Sequence, residues 1–279
     1  MDSRSASPLT KAFFYLIMII FTILAIYPIF WLVLQSFKTT QEYLTSNKLA
    51  FPKDWHFANY PWVWNFGGFK NFFVNSVIYS VTTVTAVVLF ANMAGFAFAK
   101  IKFKITPFLH GLFIIGILLT IQSILIPLFL MVNAVGLYNT RLGVLIPYIG
   151  LGLPLGIYLC TDFVRGIPNE MIESARIDGA GYLRTFVMII FPMCLPVVVT
   201  LAIITFTSTW NEFILMNILT ATDRYKSIPA GIGRFAGALG TNFGRLFTSL
   251  VIALIPILVF YGAFRKQITK GVAAGAVKG

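Results

Sequence analysis

A short charged segment at residues 167–181, IPNEMIESARIDGAG, is the part of this sequence whose residue types and spacing suggest binding chemistry. Pro168 is typical of a helix start, and Glu170 and Glu173 fall in the first turns, where the helix dipole favours anions. Gly179 is typical of a helix end and permits a sharp turn. The segment is therefore predicted to form a short charged helix between two apolar stretches.

Three apolar residues of this predicted helix, Met171, Ile172 and Ala175, lie three and four positions apart and would share one face. They would form an apolar ridge on a charged element, and such a ridge suits a groove on a partner protein. On spacing alone, an amphipathic connector that lies on the lipid surface explains the same pattern equally well.

Residues for catalysis, metal binding or energy conversion do not form recognisable sets in the sequence. It has no GxxxxGK[ST] stretch to cradle the phosphates of ATP. Paired carboxylates and Ser/His/Asp or Cys/His sets are also missing, and Cys160, Cys194, His56 and His110 are isolated from one another. We therefore expect no enzymatic activity, cofactor or metal ion in this chain.

The composition indicates that these residues are positioned by membrane helices. Of 279 residues 58% are apolar and 11% are charged, against about 45–50% apolar in a soluble domain. About 20 mostly apolar residues cross the hydrocarbon core. Segments of this kind are Ala12–Leu34, Phe72–Ala99, Pro107–Val132, Leu142–Thr161, Met193–Asn211 and Leu246–Phe264. The expected fold is an all-α integral membrane protein with six transmembrane helices in a single domain, residues 1–279.

Basic residues indicate the orientation of these spans. Lys100, Lys102 and Lys104 lie in one short break between apolar segments, whereas residues 133–141 contain a single arginine. Because short cytoplasmic loops carry an excess of lysine and arginine, both termini should be cytoplasmic. The net charge of +12 is spread over such breaks, so nucleic-acid binding is not expected.

The charged segment also carries a family pattern. Glu173-Ser174-Ala175, then Gly179 after three intervening residues, and then Ile189-Ile190-Phe191-Pro192 resemble the Glu-Ala-Ala…Gly…Ile-x-Leu-Pro loop of binding-protein-dependent ABC importer permeases. Asp178-Gly179-Ala180 and Trp210-Asn211-Glu212-Phe213 are similar to the carbohydrate branch, specifically the smaller permease of maltose-type systems. The resemblance covers essentially the whole chain. Ser174 and Phe191 depart from the pattern but keep modest size or apolarity.

This resemblance implies a type I ABC importer permease fold with a cytoplasmic coupling-helix loop at about residues 166–192. The chain would be the permease subunit of an ATP-driven sugar importer in a bacterial or archaeal cytoplasmic (inner) membrane. Its implied partners are a second homologous permease, two ATPase subunits that bind ATP and magnesium, an extracytoplasmic solute-binding protein, a sugar or oligosaccharide, and membrane lipid. The residues implied in ATPase coupling are Met171, Ile172, Glu173, Ala175, Asp178 and Gly179.

Two further regions are candidate sites near the outer face. Trp210, Asn211 and Glu212 either line the translocation path or the permease interface, or have local roles. In the second case Trp210 is an interfacial aromatic anchor, and Glu212 caps the outer end of the span or pairs with Arg224 or Arg234. The outer loop at residues 230–242 matches in position a loop that, in the maltose-type family, reaches into the binding protein. Its candidate contacts are Gly231, Gly233, Arg234, Gly237 and Gly240, although these glycines also suit a merely flexible loop.

Two other classes of function fit an apolar chain with a docking helix. One is an autonomous carrier or channel, and the other is a membrane scaffold that transports nothing. The predicted spans have no acid or base near their centres, which argues against a proton relay through this chain alone. Co-isolation with ATPase subunits favours the importer, whereas sugar flux through the lone chain favours the carrier.

Overall fold

The computed structural model describes residues 8–101, 103–237 and 240–276, so Lys102 of the basic cluster lies outside the described residues. In chain order the helices are α1 (Pro8–Ser36), α2 (Thr40–Thr45), α3 (Asn59–Asn65), α4 (Phe69–Lys100), α5 (Thr106–Leu118), α6 (Ile121–Ala134), α7 (Arg141–Arg165), α8 (Glu170–Ile177), α9 (Tyr182–Thr185), α10 (Phe191–Met193), α11 (Leu195–Trp210), α12 (Ile214–Leu219), α13 (Ile228–Ile232) and α14 (Phe243–Ala276). A π-helical turn, Phe186–Ile190, joins α9 to α10. A 3₁₀ turn, Gly233–Phe235, leads into the paired strands β1 (Ala236–Gly237) and β2 (Gly240–Thr241).

The predicted all-α membrane fold is confirmed. Helices α1, α4, α7 and α14 are each long and apolar enough to cross a membrane, and they match the first, second, fourth and sixth predicted spans. Two bent helix pairs raise the number of candidate spans in the described chain to six if each pair is one span. No residue in the most apolar stretch of α1 is buried, as expected of a helix whose solvent is lipid.

The third predicted span, Pro107–Val132, is broken. Helices α5 and α6 meet at an angle of 107°. Leu119 and Thr120 between them have extended backbone, with ψ of 117° and 146°. The hydroxyl groups of Thr120 and Ser123 lie 2.8 Å apart and stabilise the start of α6 locally. An apolarity count misses this break because the surrounding residues are as apolar as those of a straight helix.

The fifth predicted span, Met193–Asn211, corresponds to α11, but a bent leg precedes it. The segment Tyr182–Met193 and α11 differ in direction by 76°. Pro192 and Pro196 flank the bend, and because proline has no backbone N–H, neither can complete the helical hydrogen-bond ladder there.

The described contacts divide the chain into two compact units. One comprises the chain up to Phe69 together with Ile232–Ile255, and the other comprises Lys70–Gly231 and the chain from Pro256 onward. The expectation of a single domain stays a prediction.

In the first unit, the aromatic-rich segment after α1 is packed. The ring of Phe37 lies 5.2 Å from that of Trp55, 5.0 Å from Phe57 and 5.3 Å from Tyr60. The Asn59 amide donates to the backbone carbonyls of Ser36, the last residue of α1, and Lys38, at 2.9 and 3.1 Å. These contacts fix the segment because ring packing removes apolar area from water while the amide satisfies carbonyls that α1 leaves unpaired.

In the second unit, α7 is central and packs against α5 and α11. Helix α4 approaches α7 closely at Gly95, where a Cβ would lie only 2.7 Å from the Cβ of Cys160. Small residues at such crossings let two membrane helices pack backbone to backbone. The core beneath α8 includes Val164, Ile167 and Phe186, all less than 9% exposed.

Candidate functional site

Helix α8 is the short charged helix that the sequence predicts. Its end is closed by hydrogen bonds from the Gly179 N–H to the Arg176 carbonyl (3.0 Å) and from the Ala180 N–H to the Ala175 carbonyl (2.9 Å). This Schellman arrangement requires a left-handed residue after the helix, and Gly179 supplies it with a φ of +78°. Gly181, by contrast, has φ −70° and ψ 167°, an extended conformation that any residue adopts.

Two residues of the predicted apolar ridge face into this chain. Ile172 and Ala175 are only 8% and 6% exposed. Ile172 belongs to a buried cluster that contains Phe186 and Ile190 of the π-helical turn. Met171 lies at the edge of this face and is 39% exposed. The ridge prediction is therefore corrected: Ile172 and Ala175 anchor α8 to the chain's own core, because burial there removes their apolar surface from water.

The outward face of α8 consists of Glu170, Glu173, Ser174 and Ile177, which are exposed and lie three or four positions apart. Ile177 is 87% exposed. The next residue, Asp178, is also exposed. This outward face offers a partner two carboxylates and one large apolar side chain.

Two cations hold the ends of α8. The Lys100 Nζ at the end of α4 donates to the Ile167 carbonyl and, at 2.8 Å, to Asn169 Oδ1 just before α8. The Arg176 guanidinium lies 4.4 Å from the centre of the Tyr182 ring, a cation–π contact across the turn after α8. Sequence reasoning used Lys100 only for topology, because its partners are 67 and 69 positions away along the chain.

Trp210 is a core residue in this structure. It is 2% exposed, and its ring lies 5.4 Å from Phe206 and 6.2 Å from Phe73. For Trp210, the predictions of a place on the translocation path, at the permease interface or in an interfacial aromatic belt are therefore corrected. Each of these roles needs an accessible ring. Asn211 is exposed, and its amide donates to the Thr207 carbonyl of its own helix at 2.9 Å.

Glu212 caps the start of α12, the helix that follows it, and not the outer end of its own span as one of the sequence hypotheses states. Its carboxylate accepts from the backbone N–H groups of Leu215 (2.8 Å) and Met216 (3.0 Å) in the first turn of α12. It also accepts from the Tyr148 hydroxyl of α7 at 2.7 Å. The sequence did not indicate Tyr148, which is 64 positions from Glu212.

Glu212 and Tyr148 line a cleft of about 280 Å³ within the second unit. Its walls come from the α5–α6 break, α7 and α11. Most of the lining is apolar, and the hydroxyls of Thr205, Ser208 and Thr209 add polar groups. An apolar cleft with a few convergent polar groups is the usual form of a small-molecule site.

The outer-loop candidates lie in regular secondary structure and not in a structureless loop: Gly231 is in α13, Gly233 and Arg234 are in the 3₁₀ turn, and Gly237 and Gly240 are paired across β1 and β2. Residues 238–239 lie outside the described residues. Gly231 is buried, and a Cβ there would run into the Phe72 ring, so this glycine is required by packing.

The segment before the outer loop is fixed to α4. The Asn75 amide donates to the backbone carbonyls of Arg224 (2.8 Å) and Lys226 (3.0 Å). The Ser76 hydroxyl accepts from the Ile228 N–H at 2.8 Å. These bonds fix residues 224–228, which lead into α13, to α4. Each bond satisfies a backbone group that has no helical partner.

Within residues 8–101, 103–237 and 240–276, no group of three or more His, Cys, Asp or Glu side chains could hold a metal ion. Cys160 and Cys194 are buried thiols.

Residues 88–273 match the family described as binding-protein-dependent transport system inner membrane component. The chain is 33% identical over 270 residues to the ABC transporter permease protein ORF2 of Caldicellulosiruptor sp. (strain Rt8B.4), covering 97% of this chain and 98% of that protein. It is 35% identical over 258 residues to the trehalose transport system permease protein SugB of Mycobacterium tuberculosis (strain CDC 1551 / Oshkosh), covering 91% and 93%. Its fold is similar to a chain of a bacterial ABC transporter involved in the import of the acidic polysaccharide alginate, with a TM-score of 0.82, 21% identity, and 95% and 98% of the two chains covered.

Proposed function

Because this chain belongs to the family of inner-membrane components of binding-protein-dependent transport systems, we propose that it is the membrane-spanning permease subunit of an ATP-driven sugar importer. The 35% identity to a trehalose permease over 91% of the chain supports a sugar or oligosaccharide as the substrate. Transport, and not catalysis, is the work of this family. ATP and magnesium are bound, and ATP is hydrolysed, in partner subunits.

Two cytoplasmic ATPase subunits drive this permease and a second, homologous one. The outward face of α8, with Glu173 near its middle and Ile177 at its C-terminal end, docks into a groove of one ATPase subunit. The inward face is buried against the core through Ile172, and Lys100 ties the start of α8 to the end of α4. A displacement of α8 by ATPase closure is therefore transmitted to the spans, because packed side chains resist compression.

An extracytoplasmic binding protein delivers the sugar to the outer surface. The hydrogen bonds that Asn75 and Ser76 make with residues 224–228 support this role, because they fix on α4 the segment that precedes the outer loop. The hairpin of β1 and β2 contacts the binding protein.

Reconstitution tests this function directly. The chain is co-expressed with the permease, ATPase and binding protein encoded by neighbouring genes, purified through a tag, and placed in proteoliposomes with a panel of radiolabelled sugars, trehalose first. We expect co-purification of the partners and uptake that requires both hydrolysable ATP and the binding protein. Sugar flux through the lone chain would indicate an autonomous carrier, and assembly without ATP-dependent flux would indicate a scaffold.

We predict that both termini, and α8 with them, are cytoplasmic. Lys104 and Asp54 are both exposed, so a cysteine at either position is accessible to a thiol reagent from its own side of the membrane. In intact cells an impermeant maleimide should label Asp54→Cys and spare Lys104→Cys, and permeabilisation should expose the second position. Labelling of Lys104→Cys alone before permeabilisation would mean that the topology is inverted.

A further inference from the structure

The cleft beside Glu212 has a charge pattern that bears on which sugars this permease accepts. Among the described residues that line it, Glu212 is the one with a formal charge, and no Lys, Arg or His is present. Tyr148 enters the cleft about 10 Å from the start of α7, as seven residues at about 1.5 Å each require. The volume of the cleft, about 280 Å³, is close to the lower end of the roughly 300–1,000 Å³ typical of small-molecule pockets.

The hydrogen-bonding capacity of Glu212 is not exhausted. A carboxylate has about four acceptor positions, and three bonds are made, from Tyr148, Leu215 and Met216. Glu212 is half-buried, so the residue is not closed off completely. The hydroxyls of Ser208 and the other polar lining residues both donate and accept.

We propose that this cleft contacts the sugar during its passage and that Glu212 restricts transport to uncharged sugars. The inference rests on the proposed function, and it adds the chemical class of the substrate. A neutral sugar offers hydroxyl donors to the Glu212 carboxylate and both donors and acceptors to the Ser208 and Thr205 hydroxyls. An acidic sugar brings a second anion into a mostly apolar cleft that contains no cation among its described lining residues, and like charges repel strongly where water is scarce.

Direct binding tests the proposal without selection by the binding protein. The purified importer, with the binding protein omitted, is titrated with the neutral sugar that it transports and with the C6 carboxylate of that sugar, both radiolabelled. In the unmodified importer the acid should bind at least about tenfold more weakly, a difference of about 1.4 kcal/mol. Glu212→Gln keeps the shape and one acceptor oxygen but removes the charge, so the two affinities should converge.

Three variants separate charge from structure. Glu212→Asp retains the charge and should retain the discrimination. Ser208→Lys leaves the α12 cap intact and places an ammonium one helical turn before Glu212, so it should also bring the affinities together, even if Glu212→Gln does not assemble. Asp223→Asn removes a carboxylate outside the cleft, where Asp223 pairs with Lys226 at 3.2 Å, and should change nothing.

The outcomes distinguish this inference from the proposed function. If the complex imports sugar but the ratio of the two dissociation constants is the same in the unmodified importer, Glu212→Gln and Ser208→Lys, the role of Glu212 is refuted while the importer function stands. Equal binding of acid and neutral sugar by the unmodified importer, or binding of neither, would equally overturn it. Absence of any ATP-dependent uptake would instead contradict the proposed function.

Discussion

Gly179→Asp should strongly reduce sugar uptake while the permease still folds and inserts into the membrane. The φ of +78° at this position puts any side chain under strain, on the order of 1–2 kcal/mol, although aspartate tolerates this region better than most residues. A Cβ at Gly179 would meet no atom of this chain within 4 Å, so the fold itself has room for the substitution. The new carboxylate lies at the negative end of α8, beside the proposed ATPase-docking surface, and should oppose docking there.

The measurement is ATP-dependent uptake in proteoliposomes, together with ATPase activity and co-purification of the ATPase subunits. Uptake should fall by at least about tenfold, the effect expected of an important contact at an interface. Gly179→Asn has the same shape and backbone preference without the charge and should lose less. Gly181→Ala should be neutral, because Gly181 has an extended backbone. Normal values for Gly179→Asp in all three assays would mean that the turn after α8 is a passive connector.

Ile177→Asp should release the ATPase subunits from the permease. Ile177 is 87% exposed at the C-terminal end of the outward face of α8, where a charge costs the folded chain little. Burying an isoleucine contributes roughly 1.5–3 kcal/mol, so its loss should weaken ATPase binding by about tenfold or more. The amount of ATPase that co-purifies with a tagged permease, measured over a series of ATPase concentrations, checks this result.

Matched substitutions on α8 give the contrast that identifies the docking face. Ile177→Leu conserves the apolar surface and should bind the ATPase normally. Ala175→Asp places a carboxylate on the inward face, at a position only 6% exposed, and should reduce the amount of folded permease in the membrane instead. If Ile177→Asp retains its full complement of ATPase subunits, the outward face of α8 is not the docking surface.

The sequence determined the features that depend on neighbouring residues. Helix α8 and its end at Gly179 were predicted because helix capping and glycine conformation act within a few residues. The four unbroken spans were predicted because any chain of about 20 apolar residues in lipid must satisfy its own backbone hydrogen bonds. The family followed from the spacing of Glu173, Ala175 and Gly179, all within one short segment.

Tertiary structure decided which way each residue faces and what it meets. Ile172 and Ile177 are the same residue type on one helix, yet Ile172 is buried and Ile177 is exposed, because only the position of the core selects between them. The break between α5 and α6 follows from backbone conformation at Leu119 and Thr120, which apolarity does not encode. The Tyr148–Glu212 bond joins residues 64 positions apart. Contacts of this range have no signature in a local pattern, since they exist only after the helices have packed.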